Sequence, residues 1–169
     1  MDREKVVNGL KAALQTELDG IQFYKMVAEK TSDQKGKAVF TQLADDEKQH
    51  FNELQKQLNS VMNSNKWVQS ISIEDATIFR GESPIFSEEL RSRIKDKHFE
   101  MSALSIGALL EANSIDFYRK MKEDTEDPTA KDLFGRLQKW EQAHLEAITR
   151  QLNLLKEEYW IVQKFTPLF

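Results

Sequence analysis

The sequence predicts an all-α protein, a bundle of four helices made from one helical hairpin used twice. Three observations carry that expectation. Apolar residues make up 40% and charged residues 31% of the 169 positions, with only six glycines and three prolines, a balance that suits a helical globular domain and argues against disorder. Apolar residues recur three or four positions apart over long stretches. The chain also aligns on itself without a gap at a shift of 94 residues, which marks an internal repeat. A single domain over residues 1–169 is expected, since this length buries one sizeable core.

The repeat register runs through both helices of each hairpin. Glu17 falls on Glu111, Ile21 on Ile115, Phe23 on Phe117 and Tyr24 on Tyr118. Phe40 then meets Phe134, Leu43 meets Leu137, Glu47 meets Glu141, His50 meets His144, and Gln57-Leu58-Asn59 meets Gln151-Leu152-Asn153. The first helix, near residues 4–31, shows its stripe in Val6, Leu10, Ala13, Leu14, Glu17, Ile21 and Tyr24. The second, near 34–61, follows Asp33 and carries Phe40, Leu43, Glu47, His50, Leu54 and Leu58 on one face. A third is expected near 98–124. The fourth, near 128–157, has Asp127 to cap its free amides and Pro128 at the first helical position. Hairpin 1 thus covers about 4–61 and hairpin 2 about 98–157, with a tail at 158–169 ending in "KFTPLF". The crossover between them, about 62–97, holds the turn signal "RGESP" and no sustained apolar period, and has room for a short helix after Ser87.

Charge and composition exclude several function classes. The formal charge is −4, from 28 acidic and 24 basic residues, with no basic run that would follow a phosphate backbone, so nucleic acid is not an expected partner. No cysteine is present, which excludes disulfides, thiolate catalysis and cysteine-held iron within these residues. The N-terminal segment "MDREKVVNGLKAALQTELDG" has no unbroken apolar stretch, and no later segment is long and apolar enough to span a bilayer. A cytoplasmic protein without a membrane partner is the default expectation.

"DEKQH" at 46–50 and "WEQAH" at 140–144 each contain Glu-x-x-His. On a helix, residues three apart lie about 60° apart around the axis and roughly 4.5 Å along it, so Glu47 and His50 share a side, as do Glu141 and His144. One such pair on a charged helix is ordinarily a solvated face. Two copies in register, with Glu17 and Glu111 matched on the partner helices and all six inside apolar stripes, form a metal-ligand pattern. Four carboxylates and two neutral imidazoles balance two divalent cations at zero net charge, which removes most of the cost of burying them.

Glutamates from two helices combined with Glu-x-x-His from two others is the di-iron carboxylate pattern of ferritin-like bundles. Through "ELDGIQFY", "LADDEKQH", "EANSIDFY" and "KWEQAH" the chain resembles the rubrerythrin-like branch, specifically members without a rubredoxin domain. The resemblance implies a ferritin-like four-helix bundle with Glu17, Glu47, His50, Glu111, Glu141 and His144 as ligands of two iron ions. It also implies that Glu47 and Glu141 are the bridges, although other divalent metals suit the same donors. Tyr24 and Tyr118 match positions where rubrerythrins place tyrosines near the centre, where each can hydrogen-bond a ligand carboxylate. Two departures stand out. Rubrerythrins carry a further glutamate three residues after the third-helix ligand, where this chain has Ser114, mated to Gly20. The rubredoxin module is missing, so electrons are expected from an external donor protein.

Three functions fit these residues. One is an oxidoreductase that reduces peroxide or dioxygen, expected as a homodimer by resemblance; the second is a ferroxidase or iron-handling protein of ferritin type; the third is a metal-binding bundle without turnover. Among the remaining polar and aromatic residues, His98 has no repeat mate and is expected to be surface or structural, Trp140 to pack, and Asp45 and Asp46 to face solvent. Gly20 and Ser114 leave space either for a small oxidant or for close helix crossing.

Overall fold

The computed structural model describes residues 3–73, 85, 87, 88 and 98–163. Four helices account for most of them: α1 (Arg3–Lys30), α2 (Gln34–Ser64), α3 (His98–Asp124) and α4 (Pro128–Gln163). The chain is a four-helix bundle of the ferritin-like kind. Within each hairpin, α1 against α2 and α3 against α4, the helices pack along their length, while the hairpins meet chiefly through α1 beside α3.

Local chemistry explains where the helices start. Asp33 caps α2 by accepting from the Gly36 amide at 2.7 Å, and Asp127 caps α4 by accepting from Thr129 and Ala130 at 2.9 and 3.2 Å. Each satisfies amides that have no partner inside the helix. Asn65 ends α2 in the left-handed region at φ 56, its amide bonded to the Val61 carbonyl at 3.0 Å, as C-terminal caps commonly are. The outer ends differ from expectation. Helix α2 continues to Ser64 rather than stopping near 61, and α4 continues to Gln163 rather than 157. Leu155 is fully buried and Tyr159 packs on the same core cluster, so the extra turns have apolar surface to cover.

Two dry layers fill the bundle on either side of its middle. One contains Tyr24, Val27, Phe40, Leu43, Leu104, Ile148 and Leu155. The other contains Leu10, Leu54, Tyr118, Leu133, Phe134 and Leu137. Repeat mates occupy opposite layers: Tyr24 stacks on Phe40 with ring centroids 6.3 Å apart, and Tyr118 on Phe134 at 6.2 Å. The pseudo-twofold axis implied by the sequence repeat therefore passes between the layers.

The described ends of the crossover are tied down by the repeated glutamines. Gln57 holds both backbone groups of Val68, accepting from its amide at 2.9 Å and donating to its carbonyl at 3.1 Å. Its mate Gln151 accepts from the Ile85 amide at 2.6 Å. Trp67 and Ile73 join one apolar layer and Ile85 the other, so the described ends of the connection lie on opposite layers. The segment "RGESP", most of the expected helix after Ser87, and "KFTPLF" lie outside the described residues.

Candidate metal centre

Between the two layers, all six charged residues singled out by the repeat come together, each at most 4% exposed: Glu17, Glu47, His50, Glu111, Glu141 and His144. Helix α1 supplies Glu17, α2 Glu47 and His50, α3 Glu111, and α4 Glu141 and His144. Their donor atoms form two groups, Glu17, Glu47, His50 and Glu141 in one and Glu47, Glu111, Glu141 and His144 in the other, with the atoms of each within 4.8 Å of one another. The shared members are Glu47 and Glu141.

The oxygens explain the sharing. His50 Nδ1 lies 3.3 Å from Glu17 Oε2, 3.4 Å from Glu47 Oε2 and 3.5 Å from Glu141 Oε1. His144 Nδ1 lies 3.3 Å from Glu47 Oε1, 3.4 Å from Glu141 Oε2 and 3.7 Å from Glu111 Oε1. Glu47 and Glu141 thus each turn one oxygen toward each histidine. Donors about 2.1 Å from one ion stand roughly 3.0–3.4 Å apart, close to these separations. Glu17 Oε2, His50 Nδ1 and both Glu141 oxygens have no hydrogen-bond partner among the described residues. Buried polar atoms are rarely left so, and a pair of cations at this place would satisfy them. The donor set fits that group in number, charge and direction.

Without cations, protons offset part of the charge. Burial pushes the Glu17 carboxyl well above its usual range, helped by the Glu47 charge. Burial and then Glu141 do the same to Glu111. Burial alone would lower His50, yet the Glu17 charge and the close Glu141 and Glu47 carboxylates hold it well above its ordinary value. His144 is raised against its burial by the Glu111 charge and by the nearby Asp46 and Glu141 carboxylates. For Glu47, burial is outweighed by close polar contacts with Glu17, His144 and His50, and its carboxyl is held well below the usual range. Glu141 is lowered against burial and the Glu47 charge by its contacts with His144 and His50. The raised Glu17, Glu111 and histidines favour holding protons while Glu47 and Glu141 favour the carboxylate, which moves the cluster toward the zero total that four carboxylates, two neutral rings and two divalent cations would have.

The tyrosines complete a crossed pair. Tyr24 on α1 donates to Glu111 on α3, and Tyr118 on α3 donates to Glu17 on α1. Burial and the neighbouring glutamate push both phenols well above their ordinary range, so they remain donors. Each ring is also core, stacked on its phenylalanine, so packing and chemistry coexist here.

A cavity of about 180 Å³ opens beside the cluster, lined in part by Gly20, Tyr24, Glu47, Glu111, Asn113 and Ser114. A Cβ on Gly20 would lie 3.3 Å from Glu47 Cγ, so the glycine makes room for the Glu47 side chain. Ser114 is 8% exposed, and its small side chain leaves the cavity open between α1 and α3.

A family model described as Rubrerythrin matches residues 8–152. The chain belongs to the rubrerythrin family. It is accordingly a ferritin-like di-iron carboxylate protein, with no rubredoxin sequence among its 169 residues. No curated protein and no solved structure gives a significant match. Among the described residues, no helix is long and apolar enough to cross a membrane.

One expectation for this rubrerythrin-family chain is overturned. Asp45 is exposed, but Asp46 is 1% exposed, with Oδ2 3.5 Å from His144 Nε2. Helix α2 is covered by α1 on one side and meets the α4 histidine on another, so the residue before Glu47 is enclosed too. The signal lay in the repeat, where the mate of Asp46 is Trp140, a poor surface residue. Trp140 itself packs edge-on against both histidines, at centroid distances of 5.6 Å to His50 and 5.7 Å to His144. His98 is exposed beside Tyr159, away from the cluster.

Proposed function

We propose that this chain is a di-iron oxidoreductase that reduces a small oxidant, peroxide ahead of dioxygen, with electrons from an external donor protein. The observation that carries the reading is the cavity walled by Glu47 and Glu111, which offers a small molecule access to one edge of an otherwise buried cluster. When bound, a pair of ferrous ions supplies two electrons to one oxidant. The chain's own groups do the rest. Glu47 and Glu141 would serve both ions, Glu17 with His50 and Glu111 with His144 would each hold one, and Tyr24 and Tyr118 orient the Glu111 and Glu17 carboxylates. The apolar layers exclude water from the other sides.

Stopped-flow mixing of the anaerobic ferrous protein with each oxidant at equal concentration tests the reading. Peroxide should react faster, and Ser114→Glu, which returns a carboxylate to the cavity wall, should widen the margin. Faster reaction with dioxygen would favour a ferroxidase, and no oxidation by either would leave a metal-binding bundle without turnover.

The same proposal takes the active form as a homodimer. Phe99, Ile106 and Leu109 form an apolar stripe on α3, exposed by 37%, 49% and 61%, a surface suited to a second copy. Sedimentation at micromolar concentration should show a dimer that Leu109→Asp weakens. A monomer throughout would remove this part of the reading.

A further inference from the structure

The repeat makes the two halves of the cluster nearly equivalent, and one pair of positions breaks the equivalence. Asp46 and Trp140 are repeat mates. Asp46, on α2, faces the far nitrogen of His144 on α4, with Oδ2 3.5 Å from Nε2, while its other oxygen accepts from Gln42 Nε2 at 2.8 Å. Asp46 Oδ2 has no hydrogen-bond partner among the described residues, although the residue is 1% exposed. His50 stands differently. The carboxylates at ion-pair distance from it, among the described residues, all face Nδ1, and the place corresponding to Asp46 is filled by the Trp140 indole, edge-on at 5.6 Å.

A metal-bound imidazole is oriented by what its second nitrogen meets. A carboxylate there fixes the tautomer, keeps the ring from turning and makes the metal-facing nitrogen a stronger donor, and its loss typically lowers metal affinity by about 10–100-fold. An indole packed against the ring supplies no such charge. We propose that Asp46 is a positioning residue that holds His144 with Nδ1 toward the cluster, making the His144 half of the centre the tighter metal position and the His50 half the weaker. This rests on the di-metal reading above and adds an order of occupation to it.

Cobalt(II) titration of the metal-stripped full chain, followed by calorimetry and by visible ligand-field bands, should show two unequal steps. Asp46→Asn, close in shape but uncharged, should weaken the tighter step by about 10–100-fold and leave the weaker step unchanged. Trp140→Asp should strengthen the weaker step and draw the two together. Equal steps in the unmodified chain, or an Asp46→Asn variant with both constants unaltered or lowered alike, would overturn the proposal. Uptake of a single equivalent by the unmodified chain would instead defeat the di-metal reading beneath it.

A second measurement needs no variant. With only three histidines, long-range proton–nitrogen NMR of the zinc-loaded chain resolves each ring. The His144 Nε2 proton should lie further downfield and exchange more slowly than that of His50. Indistinguishable protons, or the reverse order, would refute the role of Asp46 even if every variant failed to fold.

Discussion

Glu141→Ala should empty both metal positions at once. Glu141 turns Oε1 toward His50 and Oε2 toward His144, so its removal takes one donor from each half and leaves Glu47 as the sole spanning carboxylate. Glu17→Ala removes a donor from one half alone. After anaerobic loading with ferrous iron and gel filtration, the unmodified chain should retain about two ions, the number this ligand pattern holds in ferritin-like bundles. Glu141→Ala should retain well under one, and Glu17→Ala should keep about one. His50→Ala should resemble Glu17→Ala, because its ring serves a single half. Far-ultraviolet circular dichroism checks that each variant folds, because Glu17 carries a raised, proton-favouring carboxyl, whereas loss of Glu141 or His50 leaves a buried charge without its partner. Full occupancy of Glu141→Ala, with an unchanged oxidised-iron spectrum, would mean that the spanning role is wrong.

Metal and protons should act on stability in opposite senses as pH rises. His50 and His144 are raised above 6.5 in the folded chain, so their protonated rings contribute fully below that value, and the contribution is lost as pH climbs through the raised values. Glu17 and Glu111 are raised above 4.5, and their contribution is lost in the same direction. Glu47 and Glu141 are lowered from 4.5, so theirs is present above that value and disappears only toward acid. From about pH 6.5 to about pH 9, spanning the ordinary histidine range and above, the metal-free chain should therefore melt progressively earlier. The loaded chain should not, because bound cations replace those protons and metal binds more tightly as fewer must be displaced. Free metal about a thousandfold above Kd adds about 4 kcal/mol per site, or roughly 8–16 °C in a domain of this size. Scanning calorimetry with and without zinc across this pH range tests the divergence. A metal-free chain that gains stability toward pH 9 would contradict the assigned protonation.

By itself, the sequence determined the helices, the repeat and the six charged residues of the cluster. Helical periodicity and a 94-residue self-alignment are properties of the chain alone, and a carboxylate or imidazole kept in register within an apolar stripe is legible because nothing on a solvated face requires it. The starts of α2 and α4 were equally legible, since Asp33 and Asp127 act on amides two or three residues away. Only the tertiary structure decided which atoms meet across hairpins. The crossed Tyr24–Glu111 and Tyr118–Glu17 bonds, and the division of each Glu47 and Glu141 carboxylate between two histidines, depend on how the two hairpins pack together. The burial of Asp46 was decided there too. Periodicity gives a residue's direction around its own helix, but whether a neighbouring helix covers that direction depends on packing, and here α4 brings His144 to it. The extra turns of α4 have the same origin, because Tyr159 gains a partner only when the dry layer around Leu104 and Ile148 has assembled.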